Sequence, residues 1–176
     1  HSQINFAFFV NKKKKYEFYR YDNSYFDKKG NEIRKQFLKT PLNFTRVSSN
    51  FSYSRLHPIL KKRRPHLGID YAAPTGTPVY TTGDGTIIHR GKKGGYGKTV
   101  IIRHANKYTT LYAHLSKYRK GQRVGSKVKQ KQVIGYVGST GLSTGPHLHY
   151  EFRIRGKHIN PKKVKSKRVN KLRGEK

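Results

Sequence analysis

An all-β fold, a sandwich, barrel or folded sheet with short loops and little helix, is what the sequence predicts, on three observations. Gly or Pro punctuates the chain densely from Pro58 to Pro146. Between these breaks lie short β-branched runs: Pro78–Thr82, Thr86–Arg90, Thr99–Arg103, Tyr108–Ala113 and Val133–Val137. No stretch keeps the 3.6-residue apolar period of an amphipathic helix. Frequent short strands joined by Gly-rich turns are the mark of antiparallel β architecture.

Taken in order, residues 4–10 and 16–21 are short, aromatic and β-prone, and a basic Asn-Lys stretch separates them. Ser24 to Ile33 reads as a hairpin turning near Lys29-Gly30-Asn31. Ile33 to Lys39 fits one helical turn or a strand equally well. Residues 1–45 thus form a strand-rich lead-in rather than a separate folded unit, and residues 46–161 form the main domain. The last stretch, 162–176, holds eight Lys/Arg and one Glu and reads as a loose basic tail.

Composition narrows the function classes. Forty Lys+Arg against eight Asp+Glu give a net charge of +32, so a site built from many carboxylates is excluded. Cysteine is absent, which removes disulfides, thiolate metal sites and a cysteine nucleophile. Thirteen Tyr and nine Phe supply apolar surface for a core despite the mean hydropathy of −0.90. The charge alone suggests polyanion binding. Yet there is no zinc-finger spacing, basic zipper or RNP-like strand, so no specific nucleic-acid partner is expected. No apolar run approaches the ~20 residues of a spanning helix. Methionine is absent, so the chain is expected to be a processed form or a fragment of a longer protein.

Three patterns could carry chemistry. In His147-Leu148-His149-Tyr150-Glu151-Phe152-Arg153-Ile154-Arg155, polar and apolar residues alternate. A strand there puts His147, His149, Glu151, Arg153 and Arg155 on one face and buries the residues between them. The two imidazoles would stand about 6.7 Å apart at the backbone, close enough for one metal-centred site. For His-x-His alone, an exposed pair on a polar face is the commoner arrangement. In His66-Leu67-Gly68-Ile69-Asp70 the Pro and Gly content argues against a helix. A straight strand would separate His66 from Asp70 by about 13 Å. The two can share an ion only if the chain bends, and Gly68 permits a bend; otherwise Asp70 is a loop cap and His66 a surface residue. His114, in Tyr112-Ala113-His114-Leu115-Ser116, falls at a strand-to-turn junction and is a weak signal by itself. Two imidazoles and one carboxylate would hold zinc with a position left for water.

From about Ser48 to Pro161 the chain resembles the LytM/lysostaphin-type peptidoglycan endopeptidases of metallopeptidase family M23. The stretches that carry the likeness are SSNFSYSRLHPIL, HLGIDYAAPTGTPV, GDGTII, GGYGKTVIIRH, YTTLYAHLS, GQRVGSKVKQKQVIGYVGSTGLSTGPHLHYEFR and Asn160-Pro161. The preceding segment is similar to the lead-in of the Gram-negative, cell-shape-determining D,D-endopeptidase/carboxypeptidase branch. The resemblance implies folded antiparallel sheets of the LytM type and one Zn2+ held by His66, Asp70 and His149. It implies His114 and His147 as the catalytic histidines, working neutral, so that activity falls in acid. Arg55, Tyr112, Ser143 and Thr144 are the implied substrate-groove positions. It further implies a periplasmic enzyme that cleaves D-Ala–diaminopimelate cross-links between peptidoglycan stem peptides. Trimming of terminal D-Ala would be a second activity, and an inhibitory upstream domain of the same protein a partner. A non-catalytic wall-binding module is the competing reading.

Overall fold

The computed structural model describes residues 5–11, 14–21, 24–27, 34–56, 59, 63–105, 107–164 and 168–169. It divides into two compact units, residues 1–36 with 166–176, and residues 37–165. In the first unit β1 (Asn5–Asn11), β2 (Lys14–Tyr21) and β3 (Ser24–Asp27) form an antiparallel sheet in the order β1-β2-β3. Residues 28–33, where the predicted hairpin turn falls, lie outside the described residues. Ser24–Asp27 instead pairs backwards, with Tyr21 to Phe18. The ambiguous Ile33–Lys39 segment contributes a two-residue strand, β4 (Arg34–Lys35).

The second unit contains β5 (Arg46–Ser49), β6 (Ser52–Leu56), β7 (Arg63–His66), β8 (Ile69–Ala72), β9 (Pro78–Tyr80) and β10 (Gly85–Lys92). It continues with β11 (Lys98–Arg103), β12 (Tyr108–Tyr118), β13 (Lys127–Val128), β14 (Val133–Val137), β15 (His147–Ile154) and β16 (Lys157–Ile159). Among the described residues its helix is limited to two 3-10 turns, Gly94–Tyr96 and Pro161–Lys163. One antiparallel sheet runs β13-β10-β11-β12-β15-β8-β5, with β14 pairing both β12 and β9 and β16 flanking β15. β6 and β7 pair with each other. Four of the five β-branched runs of the sequence lie wholly within strands, and Pro78–Tyr80 of the fifth forms β9.

β12 and β15 are the axis of this sheet. Their ladder runs from Tyr108 opposite Ile154 to Ala113 opposite His149. Alternate residues Leu148, Tyr150 and Phe152 enter the core with Val100, Ile102, Tyr112 and Leu115. Each such side chain contributes about 1.5–3 kcal/mol by leaving water. The alternation read from the sequence is present, but the polar face is not exposed: His149 and Glu151 are 7% and 1% accessible. Arg155 falls past the strand, in a turn with Gly156 where both residues have positive φ (50° and 78°). That is the backbone twist a tight β15–β16 hairpin requires.

Two boundaries differ from the sequence reading. Phe37 and Leu42, placed in the lead-in, are buried in the second unit. Phe37 packs edge-on against His104, Tyr108 and Phe152 at 5.0, 5.4 and 4.9 Å between ring centres. An aromatic side chain with that much surface to bury drew the segment into the nearest core. The stretch read as a loose tail contains β17 (Arg168–Val169), which pairs with β4 in the first unit. Local charge hid a backbone pairing with residues more than a hundred positions upstream.

Candidate active site

β7 ends at His66 and β8 begins at Ile69, with a bend at Gly68 between them. Asp70 on β8 stands directly opposite His149 on β15, so ladder register alone puts both side chains on one face. The bend swings His66 to the same point. Gly68 is required there by close approach: a Cβ would lie 2.6 Å from the Tyr150 carbonyl oxygen and 2.7 Å from Cε1 of His149.

His66 Nε2 lies 3.0 Å from Asp70 Oδ1 and 3.2 Å from His149 Nδ1, and His149 Nδ1 lies 2.8 Å from the same carboxylate oxygen. The outer nitrogen of each ring is engaged. His66 Nδ1 donates to the Asn50 carbonyl at 2.7 Å, and His149 Nε2 donates to Glu151 Oε1 at 3.1 Å. A neutral imidazole carries one proton, so these outer bonds turn a bare lone pair of each ring inward. Three acceptors this close repel unless a proton or a cation lies between them. With a proton, burial works against a charged His149, but Asp70 and Glu151 overcome it and raise its pKa to about 9. Burial would push the Asp70 carboxyl up, yet His149 and His66 hold it well below the usual carboxylate range. With a cation the fit is direct. Four-coordinate zinc with bonds of about 2.05 Å separates its ligand atoms by about 3.3 Å.

His114 and His147 form the rim. β12 pairs with β15 as far as Ala113 and with β14 from Leu115 onward, and His114 sits at the changeover with φ 59°. It is therefore within a strand, not at the strand end its sequence context suggested. The left-handed backbone there turns the ring toward His147, 4.7 Å away between ring centres, and His149, 6.0 Å away. Its Nδ1 donates to the Thr140 carbonyl at 2.7 Å. His147 Nδ1 donates to the Gly145 carbonyl at 2.8 Å, and its Nε2 lies 3.9 Å from Asp70 Oδ1. Both rims thus offer bare Nε2 atoms. Burial dominates at His114 and, with its histidine neighbours, lowers its pKa to about 4.

The five residues line an open cleft of about 330 Å3 together with Ser143 and Thr144. Tyr112 does not belong to it. It is fully buried on the core face, where its hydroxyl accepts from the Thr82 backbone N–H at 3.0 Å and lies 2.9 Å from the Thr110 hydroxyl oxygen. Strand alternation explains the correction: Tyr112 is opposite Tyr150, a core residue, not opposite His149. The Arg55 side chain lies outside the described residues; its backbone pairs with Arg64, which does line the cleft.

A family model described as "Peptidase family M23" matches residues 64–161, more than half of the sequence. The chain belongs to peptidase family M23. Among curated relatives, the "DD-carboxypeptidase/endopeptidase Mpg" of Neisseria meningitidis is 59% identical over 124 residues, covering 70% of this chain and 28% of that protein. The "Peptidoglycan DD-endopeptidase ShyC" of Vibrio cholerae is 45% identical over 152 residues, covering 86% and 35%. Among solved structures, a "zinc containing peptidase from vibrio cholerae" superposes with a TM-score of 0.68 at 34% identity, covering 90% of this chain and 49% of that one. The chain therefore spans about a third or less of the length of these curated relatives.

Within this M23 domain several supporting residues escaped the sequence reading. Tyr96, on the Gly94–Tyr96 turn, donates its hydroxyl to Glu151 Oε1 at 2.7 Å. Thr140 holds His114 through its carbonyl and ties itself down by donating its hydroxyl to the Leu115 carbonyl at 2.8 Å. His158 Nε2 donates to Glu151 Oε2 at 3.0 Å. Burial would raise Glu151, but His149, Tyr96 and Arg153 outweigh it and bring its pKa down to about 2. The fault-free alternation from His147 to Arg153 was the available signal for Glu151 and Arg153; nothing local marks Tyr96, Thr140 or His158.

Proposed function

We propose that this chain is the catalytic part of a zinc-dependent peptidoglycan D,D-endopeptidase of a Gram-negative periplasm, cleaving D-Ala–diaminopimelate cross-links. In this reading His66, Asp70 and His149 hold one Zn2+, and His114 and His147 handle protons. The observation that carries it is the convergence of three inward-facing donors beside two further bare imidazole nitrogens in one open cleft. Zinc held there supplies Lewis acidity, polarising a carbonyl and bringing the pKa of water near 7.

The chain's own residues account for the rest. The His114 and His147 rings stand 4.7 Å apart between centres, and with Nδ1 engaged by the Thr140 carbonyl in one and by the Gly145 carbonyl and Ser143 hydroxyl in the other, each takes a proton at Nε2 and returns it to a leaving amine. Ser143 and Thr144 line the same cleft and in this reading contact the stem peptide. The +32 charge favours a substrate that carries free carboxylates. A second activity, removal of terminal D-Ala, is supported by the name of Mpg, the 59% identical relative. An inhibitory segment upstream in the whole protein is part of the same proposal.

Mass spectrometry of defined muropeptide dimers after digestion tests this reading. Monomers with a new D-Ala terminus should form, and a chelator should abolish them. A chain that binds zinc-free wall polymer equally well and produces no monomers would instead be the wall-binding module.

A further inference from the structure

The segment Phe37–Lys165 contains three acidic residues, Asp70, Asp84 and Glu151, and the proposed chemistry uses only Asp70 among them, to hold zinc. Glu151 is 1% accessible. Both of its oxygens are occupied. Oε1 accepts His149 Nε2 at 3.1 Å and the Tyr96 hydroxyl at 2.7 Å, while Oε2 accepts Arg153 Nε at 2.9 Å and His158 Nε2 at 3.0 Å. A carboxylate kept only to pair with Arg153 would need one oxygen. The other is turned toward the outer edge of the His149 ring, which Gly68 crowds and the Tyr96 ring flanks at 5.6 Å.

The spacing explains how. Glu151 is two residues along β15 from His149, so both project from the same face of the strand. His149 faces the centre with Nδ1 and presents Nε2 further along the strand, where its own i+2 neighbour meets it. His66, facing inward with Nε2, uses the Asn50 backbone carbonyl instead. The floor of the cleft therefore has one carbonyl-backed and one carboxylate-backed imidazole. A carboxylate behind an imidazole fixes its tautomer and makes it a stronger donor to a metal.

We infer that Glu151 is a positioning residue that holds His149 as an Nδ1 donor, with Tyr96, Arg153 and His158 keeping the carboxylate aimed. This rests on the reading that the cleft binds a divalent ion. Zinc affinity measured by competition with a chromophoric chelator tests it without reference to turnover. Glu151→Ala should weaken zinc binding by about 10–100-fold. Glu151→Gln, which retains an acceptor oxygen, should recover most of that loss. On the zinc-loaded wild type, nitrogen-15 spectra of the imidazoles should show the His149 proton on Nε2 and the His66 proton on Nδ1. Unchanged affinity in Glu151→Ala overturns the inference, as does a His149 proton absent from Nε2; the spectrum needs no variant to fold. Wild type that takes up no zinc overturns the proposed function together with the inference, whereas zinc uptake that ignores position 151 overturns the inference alone.

Discussion

The floor and the rim of the cleft use the same side chain in opposite ways. On the floor, His66 and His149 meet Asp70, and Glu151 backs His149 from behind. On the rim, Nδ1 of His114 and of His147 donates to the carbonyls of Thr140 and Gly145, with the Ser143 hydroxyl also 3.3 Å from His147 Nδ1, and no carboxylate stands behind either ring. Carboxylates on the floor draw positive charge, and the His149 pKa rises to about 9; burial without a carboxylate contact leaves the His114 value near 4. The difference is set by the second layer of residues, not by histidine itself. It gives the molecule a place for a cation and, with His147 Nε2 3.9 Å from Asp70 Oδ1 and the His114 ring centre 6.0 Å from that of His149, bases positioned to work on what the cation binds.

The sharpest way to break this contrast is to remove one residue from each side. His149→Ala should lose both zinc and turnover, and since a metal supplies several kcal/mol the rate should fall by about 10^3-fold or more. His114→Ala should lose about 10^2–10^4 of the rate while zinc content stays at one per chain. Metal analysis beside kcat/KM on the same preparations separates the two; zinc loss in His114→Ala would merge floor and rim.

Gly68→Ala perturbs the floor alone. Its added methyl meets the Tyr150 backbone and the His149 ring, so the strand must shift. An overpacking cost of about 1–3 kcal/mol is expected, read as a lower Tm, with reduced zinc affinity. A variant as stable as the parent would show that the close approach is not tight.

The smallest effect concerns a histidine outside the cleft. His104 is buried, with Nδ1 donating to the Asp84 carbonyl and Nε2 accepting from the Thr110 hydroxyl. Burial lowers its pKa below the ordinary 6.5. A folded value below the unfolded one means the stability it contributes is present above 6.5 and is lost as pH falls toward the folded value. The Tm advantage of wild type over His104→Gln should accordingly shrink between about pH 7 and about pH 5.

Much of this was legible beforehand because it is local. Gly and Pro breaks located β9, β10, β11, β14 and the start of β12, and the alternation from His147 located β15. The three floor residues were legible through the motifs they sit in, while strand length made a bend between His66 and Asp70 only the condition for their sharing an ion. What escaped depends on pairing across the sheet. Tyr112 was misplaced because its face is set by its partner Tyr150, and Phe37 because its three aromatic neighbours come from distant segments. Thr140 and Tyr96 act from loops whose residues carry no periodicity. The boundary at 45 failed for the same reason: a core claims segments by contact rather than by composition.

The backbone at His114 has a consequence for descent. A left-handed residue with a Cβ costs about 1–2 kcal/mol relative to glycine, so stability alone would favour Gly at this position. Only the need for an imidazole opposes that drift. Once selection for hydrolysis is relaxed, a lineage gains robustness by giving up this ring first, and inert cousins would be expected to keep a sound scaffold and a vacant rim.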